Sequence, residues 1–185
     1  MRSMERMFRR AGLELAMSQG FHPKPRMTFP AALAVGIEGA DEVMELQLAQ
    51  PYTAGQLSRM LAPQLPDGLS IKSIEVLPEG VKKARVRSFT CQAPIPDRHL
   101  SRLPARIERF MQASSWPLKR ARRAEPFDLR PSVESLSLEE ETLQMRLLVG
   151  QKGTAGPRDV LEALEISDIE REGAVLRRTV VEVLP

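Results

Sequence analysis

LRPSVESLSLEEETLQMRLLV, residues 129–149, decides the fold. Its arms, 129–138 and 142–149, read as two strands of a hairpin joined across the acidic turn Glu139-Glu140-Glu141. Upstream, 86–93 reads as another strand. Asp97 then caps a helix to about Gln112, which Pro104 limits or kinks. Residues 114–126 are basic and irregular. Downstream, Lys152-Gly153-Thr154-Ala155-Gly156 is a turn. Pro157 suits the first position of a helix to Leu164, and 175–183 closes as a strand. The order is β-α-β-β-α-β, the ferredoxin-like plan.

The first half follows the same rhythm. In residues 1–11, Met4, Met7, Phe8 and Ala11 form one helical stripe, with Arg2, Arg6 and Arg9 opposite and Gly12 as a natural C-cap. Residues 13–17 alternate as in a strand, and 27–35 is apolar enough for a short one. Gly36 and Gly39 mark a turn, and 42–48 alternates again. Thr53 caps a helix through Gln64, with Leu57, Met60 and Leu61 inward. Residues 69–77, with β-branched Ile71 and Ile74, return as a strand. This α-β-β-α-β order needs only a leading strand to match the second half. The expected class is therefore α+β: two tandem ferredoxin-like (βαββαβ) units, the first lacking its leading strand. The first spans 1–80 and carries the SQGFHPKPR loop; the second spans 84–185 and carries the basic 114–130 segment. An opening directly in a helix implies a true start further upstream, or an edge filled in another way.

At 185 residues the chain is long enough for one sizeable core or two small ones. With 42% hydrophobic and 28% charged residues, disorder throughout is excluded. The longest apolar run is too short to span a bilayer, and the charged opening MRSMERMFRRAG lacks the apolar core of a secretory signal. A single cysteine, Cys91, excludes an internal disulfide and any cysteine-built zinc or iron–sulfur site in this chain. A cytoplasmic location is expected. The net charge of +3 is unevenly spread. Residues 1–26 hold six basic and two acidic side chains, 27–81 two and seven, 82–130 thirteen and four, and 131–185 six and eleven. Such segregation points to a polyanion-facing side.

The loop SQGFHPKPR, residues 18–26, is the candidate site. Gly20 permits a sharp exit from the preceding strand. Pro23 and Pro25 stiffen the loop and push His22 and Lys24 toward extended conformations. Arg9, Arg10, Lys24 and Arg26 are placed to surround one patch, suited to a phosphate, a carboxylate or a nucleic-acid backbone. Phe21, if exposed, offers a stacking face. The plainer reading makes the loop a stiff connection, with Phe21 buried and His22 capping a backbone carbonyl.

Arg9-Arg10, the Ser18-Gln19-Gly20-Phe21-His22-Pro23-Lys24-Pro25 run and Gly36-Ile37-Glu38 resemble the opening of the radical SAM-linked protein family, an uncharacterised family with a domain of unknown function. FDLRP at 127–131, Gly156-Pro157-Arg158-Asp159-Val160-Leu161 and Arg178-Thr179 resemble further landmarks of that family. The resemblance covers nearly the whole chain. It implies a radical SAM protein as partner, which would hold the iron–sulfur cluster and S-adenosylmethionine; no cofactor is expected in this chain. Family members usually begin with a strand and a His-Leu-Asp-type segment that this sequence lacks.

Other features are plainer. His99, with Arg98, Arg102, Arg106 and Arg109, reads as a solvated basic face. The run at 118–130 suits either nucleic-acid binding or a solvated loop. Asp128 and Arg130 share one strand face and serve either structure or a ligand. Gly153-Thr154-Ala155-Gly156 lacks the Gly-Lys-Ser/Thr ending of a Walker A loop. The expected ligand-binding residues are Arg9, Arg10, Ser18, Gly20, Phe21, His22, Lys24, Arg26, Asp128 and Arg130. The expected function is a non-catalytic accessory protein of a radical SAM enzyme, binding RNA (tRNA or rRNA) or another phosphate-bearing ligand, with no membrane and no metal. The alternatives are an RNA-modifying enzyme using His22 and a protein-interaction scaffold.

Overall fold

A computed structural model describes residues 2–120, 126–150 and 153–184. Among the described residues, five α-helices and ten strands follow one another as α1 (Arg2–Arg10), β1 (Met27–Thr28), β2 (Ile37–Gly39), β3 (Glu45–Leu46), α2 (Ala54–Leu61), β4 (Arg85–Pro94), α3 (Asp97–Leu100), α4 (Leu103–Gln112), β5 (Pro117–Leu118), β6 (Phe127–Asp128), β7 (Val133–Glu139), β8 (Thr142–Gly150), β9 (Gly153–Thr154), α5 (Pro157–Ala163) and β10 (Leu176–Leu184). The protein is thus mixed α+β. It divides into two compact units, Met1–Pro30 with Val43–Ala84, and Ala31–Glu42 with Arg85–Leu184.

In the first unit, α1 buries Met7 and Phe8 against Leu13, Leu57 and Leu61, while Arg2, Arg6, Arg9 and Arg10 stay exposed. This is the stripe that the spacing of its apolar residues requires. The Thr53 hydroxyl accepts from the Gln56 N–H (3.2 Å), and the Gln56 side chain accepts from the Thr53 N–H (2.7 Å). This capping box satisfies two otherwise orphaned donors and sets the start of α2. The strands are short: β1 pairs antiparallel with β3, and isolated bridges join Leu15 to Leu48 and Met17 to Pro25. Residues 69–77, expected as a strand, enter no sheet, and 27–35 forms strand only at Met27–Thr28.

The second unit is built on one sheet in the order β2-β10-β4-β8-β7, with β9 pairing β8. All its pairings are antiparallel except β2 with β10. The β7–β8 hairpin that opened the sequence reading turns where expected, with Glu139 opposite Thr142 and Glu140 at a positive φ of 53°. Phe89, Cys91 and Ala93 on β4, and Leu143, Met145 and Leu147 on β8, alternate into the core. There they meet Leu103 and Phe110 of α4 and Val160 and Leu161 of α5. Each Leu, Phe, Met or Val among them contributes about 1.5–3 kcal/mol on burial. The opposite face is polar. Arg146 pairs with Glu134 and Glu182, and Glu182 also accepts from Ser88 (2.6 Å) and faces Arg87 (3.4 Å).

A further departure from the sequence reading lies in residues 31–42. Gly36 sits in a turn, as expected, but Ile37–Gly39, which includes the second turn glycine, is strand β2. It pairs in parallel with β10, Ile37 opposite Leu176 and Gly39 opposite Arg178, and the strap Ala31–Glu42 belongs to the second unit. Arg178, only 4% exposed, fastens it. Its guanidinium donates to Glu42 (Nε–Oε1 2.7 Å, with a second bond from Nη2 to Oε2) and to the carbonyls of Ala31 (2.9 Å) and Ala32 (3.3 Å). Arg158 adds a bond to the Val35 carbonyl (2.9 Å) while pairing with Glu170. Glycines signal turns because they adopt positive φ, and Gly36 does so at 83°. Gly39 is needed for another reason: a Cβ there would stand 2.6 Å from Glu42 Cγ.

Candidate functional site

The loop at 18–26 leaves and rejoins one strand path. Before it, Ala16 N–H donates to the Gln47 carbonyl (2.8 Å); after it, Gln47 N–H donates to the Arg26 carbonyl (3.0 Å) and Met27 lies opposite Leu46. Both flanks therefore line the segment that contains β3. Arg26 N–H donates to the Ala16 carbonyl (2.8 Å) and Ser18 N–H to the Lys24 carbonyl (2.8 Å). Lys24 N–H returns a bond to Ser18 Oγ (2.9 Å). These bonds close the neck. Ser18 thus serves the loop's shape, and Gly20, at a φ of 135°, gives the tip its bend.

Phe21 stands at that tip, fully exposed to solvent. The plainer reading, which buried Phe21, is therefore corrected. The reason is that the neck holds five residues clear of the core cluster. His22, Pro23 and Lys24 are also exposed. Arg26 is exposed but held, its Nη1 donating to Gln47 Oε1 (3.0 Å). Arg10 is directed elsewhere, to Gln64 Oε1 (3.3 Å) and the Gln64 carbonyl (3.1 Å). Arg9 is exposed on α1. The loop thus presents an aromatic ring, an imidazole and an ammonium group on a rigid stem.

Asp128 and Arg130 lie in the second unit and have structural partners. Asp128 Oδ1 accepts from the N–H groups of Trp116 (2.7 Å) and Arg130 (3.1 Å). The Trp116 N–H, with smaller help from Ser115 and Arg130, holds the Asp128 carboxyl below the usual range against the opposing effect of desolvation. Arg130 donates through Nε (3.3 Å) and Nη2 (3.2 Å) to the Met111 carbonyl, and through Nη1 to the Val133 carbonyl (2.7 Å). A guanidinium there satisfies an orphaned carbonyl at the C-terminal end of α4 and complements its dipole. The FDLRP motif is thereby explained as a clamp between α4 and β7.

Several of the other singled-out residues have structural partners. His99 Nε2 lies 3.1 Å from Asp168 Oδ2, and Arg98 spans Asp168 (2.7 Å) and Glu172. This cluster ties α3 to the Ile169–Glu172 3-10 turn. Arg120 is not free for a polyanion: it bonds Asp159 (2.6 Å) and lies over the Phe127 ring (3.8 Å). The rest of the basic run, residues 121–125, lies outside the described residues, as does Lys152 of the glycine turn. In that turn Asp159 Oδ2 accepts from Gly156 N–H (2.7 Å), so the Gly-Pro-Arg-Asp motif starts α5. Sequence reasoning assigned no role to Arg158, Arg178 or Glu42; their only signal was that two of them fall in family-like motifs. Among the described residues no group of three or more His, Cys, Asp or Glu side chains is placed to hold a metal, and no helix is long and apolar enough to cross a membrane.

The chain belongs to the bacterial family described as "Uncharacterized protein conserved in bacteria (DUF2344)", whose model matches residues 1–157. No curated protein and no solved structure matches it. The family match spans the loop, the strap and the FDLRP clamp.

Proposed function

We propose that this protein is a non-catalytic RNA-binding accessory protein that serves a radical SAM enzyme. The loop at 18–26 captures single-stranded tRNA or rRNA. One observation carries the binding half of the reading: Phe21 is fully in water on a loop whose neck is hydrogen-bonded shut. An aromatic ring kept in water at a rigid tip is a ready stacking platform, because every base has a π-face. Lys24 beside it, with the exposed arginines of α1 in the same unit, supplies charge for phosphates. The sheet face of the second unit is a poorer platform, since Arg87 and Arg146 there are already paired with carboxylates. The radical SAM partner, bearing the cluster and S-adenosylmethionine, is supported by the sequence resemblance. A ferredoxin-like plan for the second unit is supported by the β4–α–β7–β8–α5–β10 order and by the central place of β4 in its sheet; for the first unit it is supported by the sequence pattern alone.

The test is a filter-binding titration of tRNA and of a single-stranded oligonucleotide at several salt concentrations. Affinity should fall steeply with salt as neutralised phosphates release counterions. Phe21→Ala should weaken binding at every salt concentration without changing the slope. An absence of binding at low salt would sink the RNA reading.

A further inference from the structure

We propose that the loop at 18–26 is a wedge: Phe21 enters between two stacked bases in a single-stranded or hairpin-loop stretch of RNA and leaves one of them unstacked. This rests on the RNA reading of the loop and deepens it, from a surface on which bases settle to a tip that opens them.

The loop is a finger two backbones wide. Ala16 and Arg26, then Ser18 and Lys24, are joined across it, with Met17 bridged to Pro25 between them. Beyond the last of these bonds stand Gln19, Gly20, Phe21, His22 and Pro23, all exposed. The whole Phe21 side chain is in water, and among the described residues no ring or guanidinium lies against it. Its ring therefore has both faces free. An aromatic ring lying on a sheet has one face backed by protein and offers the other to a single base. A ring with neither face covered fits between two bases, as the apolar wedges of nucleic-acid-kinking proteins do.

Insertion has a cost, because the stacking between the two bases is lost. A floppy tip would add its own ordering to that cost. Here Pro23 and Pro25 fix two backbone angles, and Ser18 closes the neck through both its N–H and its hydroxyl. Charge favours the approach as well. Residues 18–26 hold Lys24 and Arg26 and no acidic side chain, so the phosphates on either side of the opened step meet no like charge. The base that Phe21 displaces is out of its stack, the state in which an enzyme that does chemistry on a base takes it up.

The experiment uses the full chain and a set of RNA hairpins, each with a single 2-aminopurine at a different loop position. The fluorescence of that base is quenched by stacking and rises when the base leaves the stack. With the RNA saturated by protein, at least one position should brighten. Phe21→Leu separates a wedge from a platform, because leucine has no π-face yet is an apolar wedge. It should keep about half of the rise or more, whereas Phe21→Ala, brought to saturation at higher protein concentration, should lose nearly all of it. Saturable binding with no brightening at any position would overturn the wedge and leave the RNA reading standing. An undiminished rise in Phe21→Ala would do the same. A rise lost equally in Phe21→Leu and Phe21→Ala would make the ring a platform and overturn the wedge. No binding of any hairpin at low salt would fail the RNA reading itself, and the wedge with it.

Discussion

Arg178 and Glu42, 136 positions apart, form a two-point ion pair in which the arginine is almost wholly buried. The pair fixes the strap to β10 beneath the polar contacts of Ala31 and Ala32. Removing one partner leaves the other charge in a poorly solvated place, and breaking such a pair costs about 3–5 kcal/mol. Glu42→Ala should therefore lower stability by about 3 kcal/mol, at the low end because Glu42 keeps some contact with water. Urea unfolding reads the change. An unchanged midpoint would mean that the pair is not formed in solution.

Gly39→Ala tests the same node from the backbone. The new Cβ would collide with Glu42 Cγ and crowd Oε1 at 2.9 Å, turning the carboxylate off Arg178. The expected cost is about 1–3 kcal/mol, as for other overpacked sites. In a Glu42→Ala background most of that cost should vanish. A double-mutant cycle should thus show strong coupling, and additive effects would contradict the clash.

Cys91 sits beside this node at 1% exposure. Burial pushes its thiol up to about 12, only partly opposed by the Arg178 charge. The reactive species is the thiolate, so a thiol reagent at neutral pH should label Cys91 only through opening of the second unit. Labelling should accelerate in Arg178→Ala, because the opening becomes easier. Rapid labelling of the native wild-type protein would show that β4 is not packed as described.

Asp168 supplies a pH signature. The Arg98 guanidinium, with help from His99, holds its carboxyl down at about 2, below the ordinary 3.8. A carboxylate depressed in the folded state stabilises above its unfolded pKa, and that contribution disappears as pH falls through the folded value. The melting temperature of the wild type should therefore drop between about pH 4 and pH 2. Asp168→Asn should flatten part of that slope. The side chain is exposed, so the effect is small, and equal slopes would show that the Arg98–Asp168 pair is inactive in solution.

Phe21→Ala should separate binding from folding. A fully exposed side chain lies outside the mechanisms that cost much stability, so the change should stay within about 0.5 kcal/mol. Loss of one stacked base costs about 1–3 kcal/mol, so RNA affinity should fall by roughly fivefold to 150-fold. A large loss of stability would place the ring in the core instead.

The second half was legible because its pattern is local. The alternation of residues 142–149, the acidic turn and Pro157 each act within a few positions, and each formed as read. The strap was not legible. Gly36 and Gly39 carry the local chemistry of a turn, whereas β2 depends on β10 and on Arg178, both more than a hundred residues away. Residues 69–77 have the composition of a strand but enter no sheet, because composition alone does not form a ladder. In the candidate site the stiffness of the loop was readable from Pro23 and Pro25. The seat of Phe21 was not, because it is set by the Ser18–Lys24 closure. Asp128 and Arg130 looked like a paired face, and only the carbonyls of Met111 and Val133 reveal their task as a clamp.

The strap has a consequence for anyone dissecting this protein into pieces. The backbone passes from one unit to the other at Pro30, again at Glu42 and again at Ala84, so neither unit is a contiguous stretch of gene. A fragment beginning at Arg85 would inherit the arginine at 178 and leave its counter-charge behind on the discarded piece. A soluble version of the second unit would need residues 31–42 grafted back, as a separate peptide or through a circularly permuted chain.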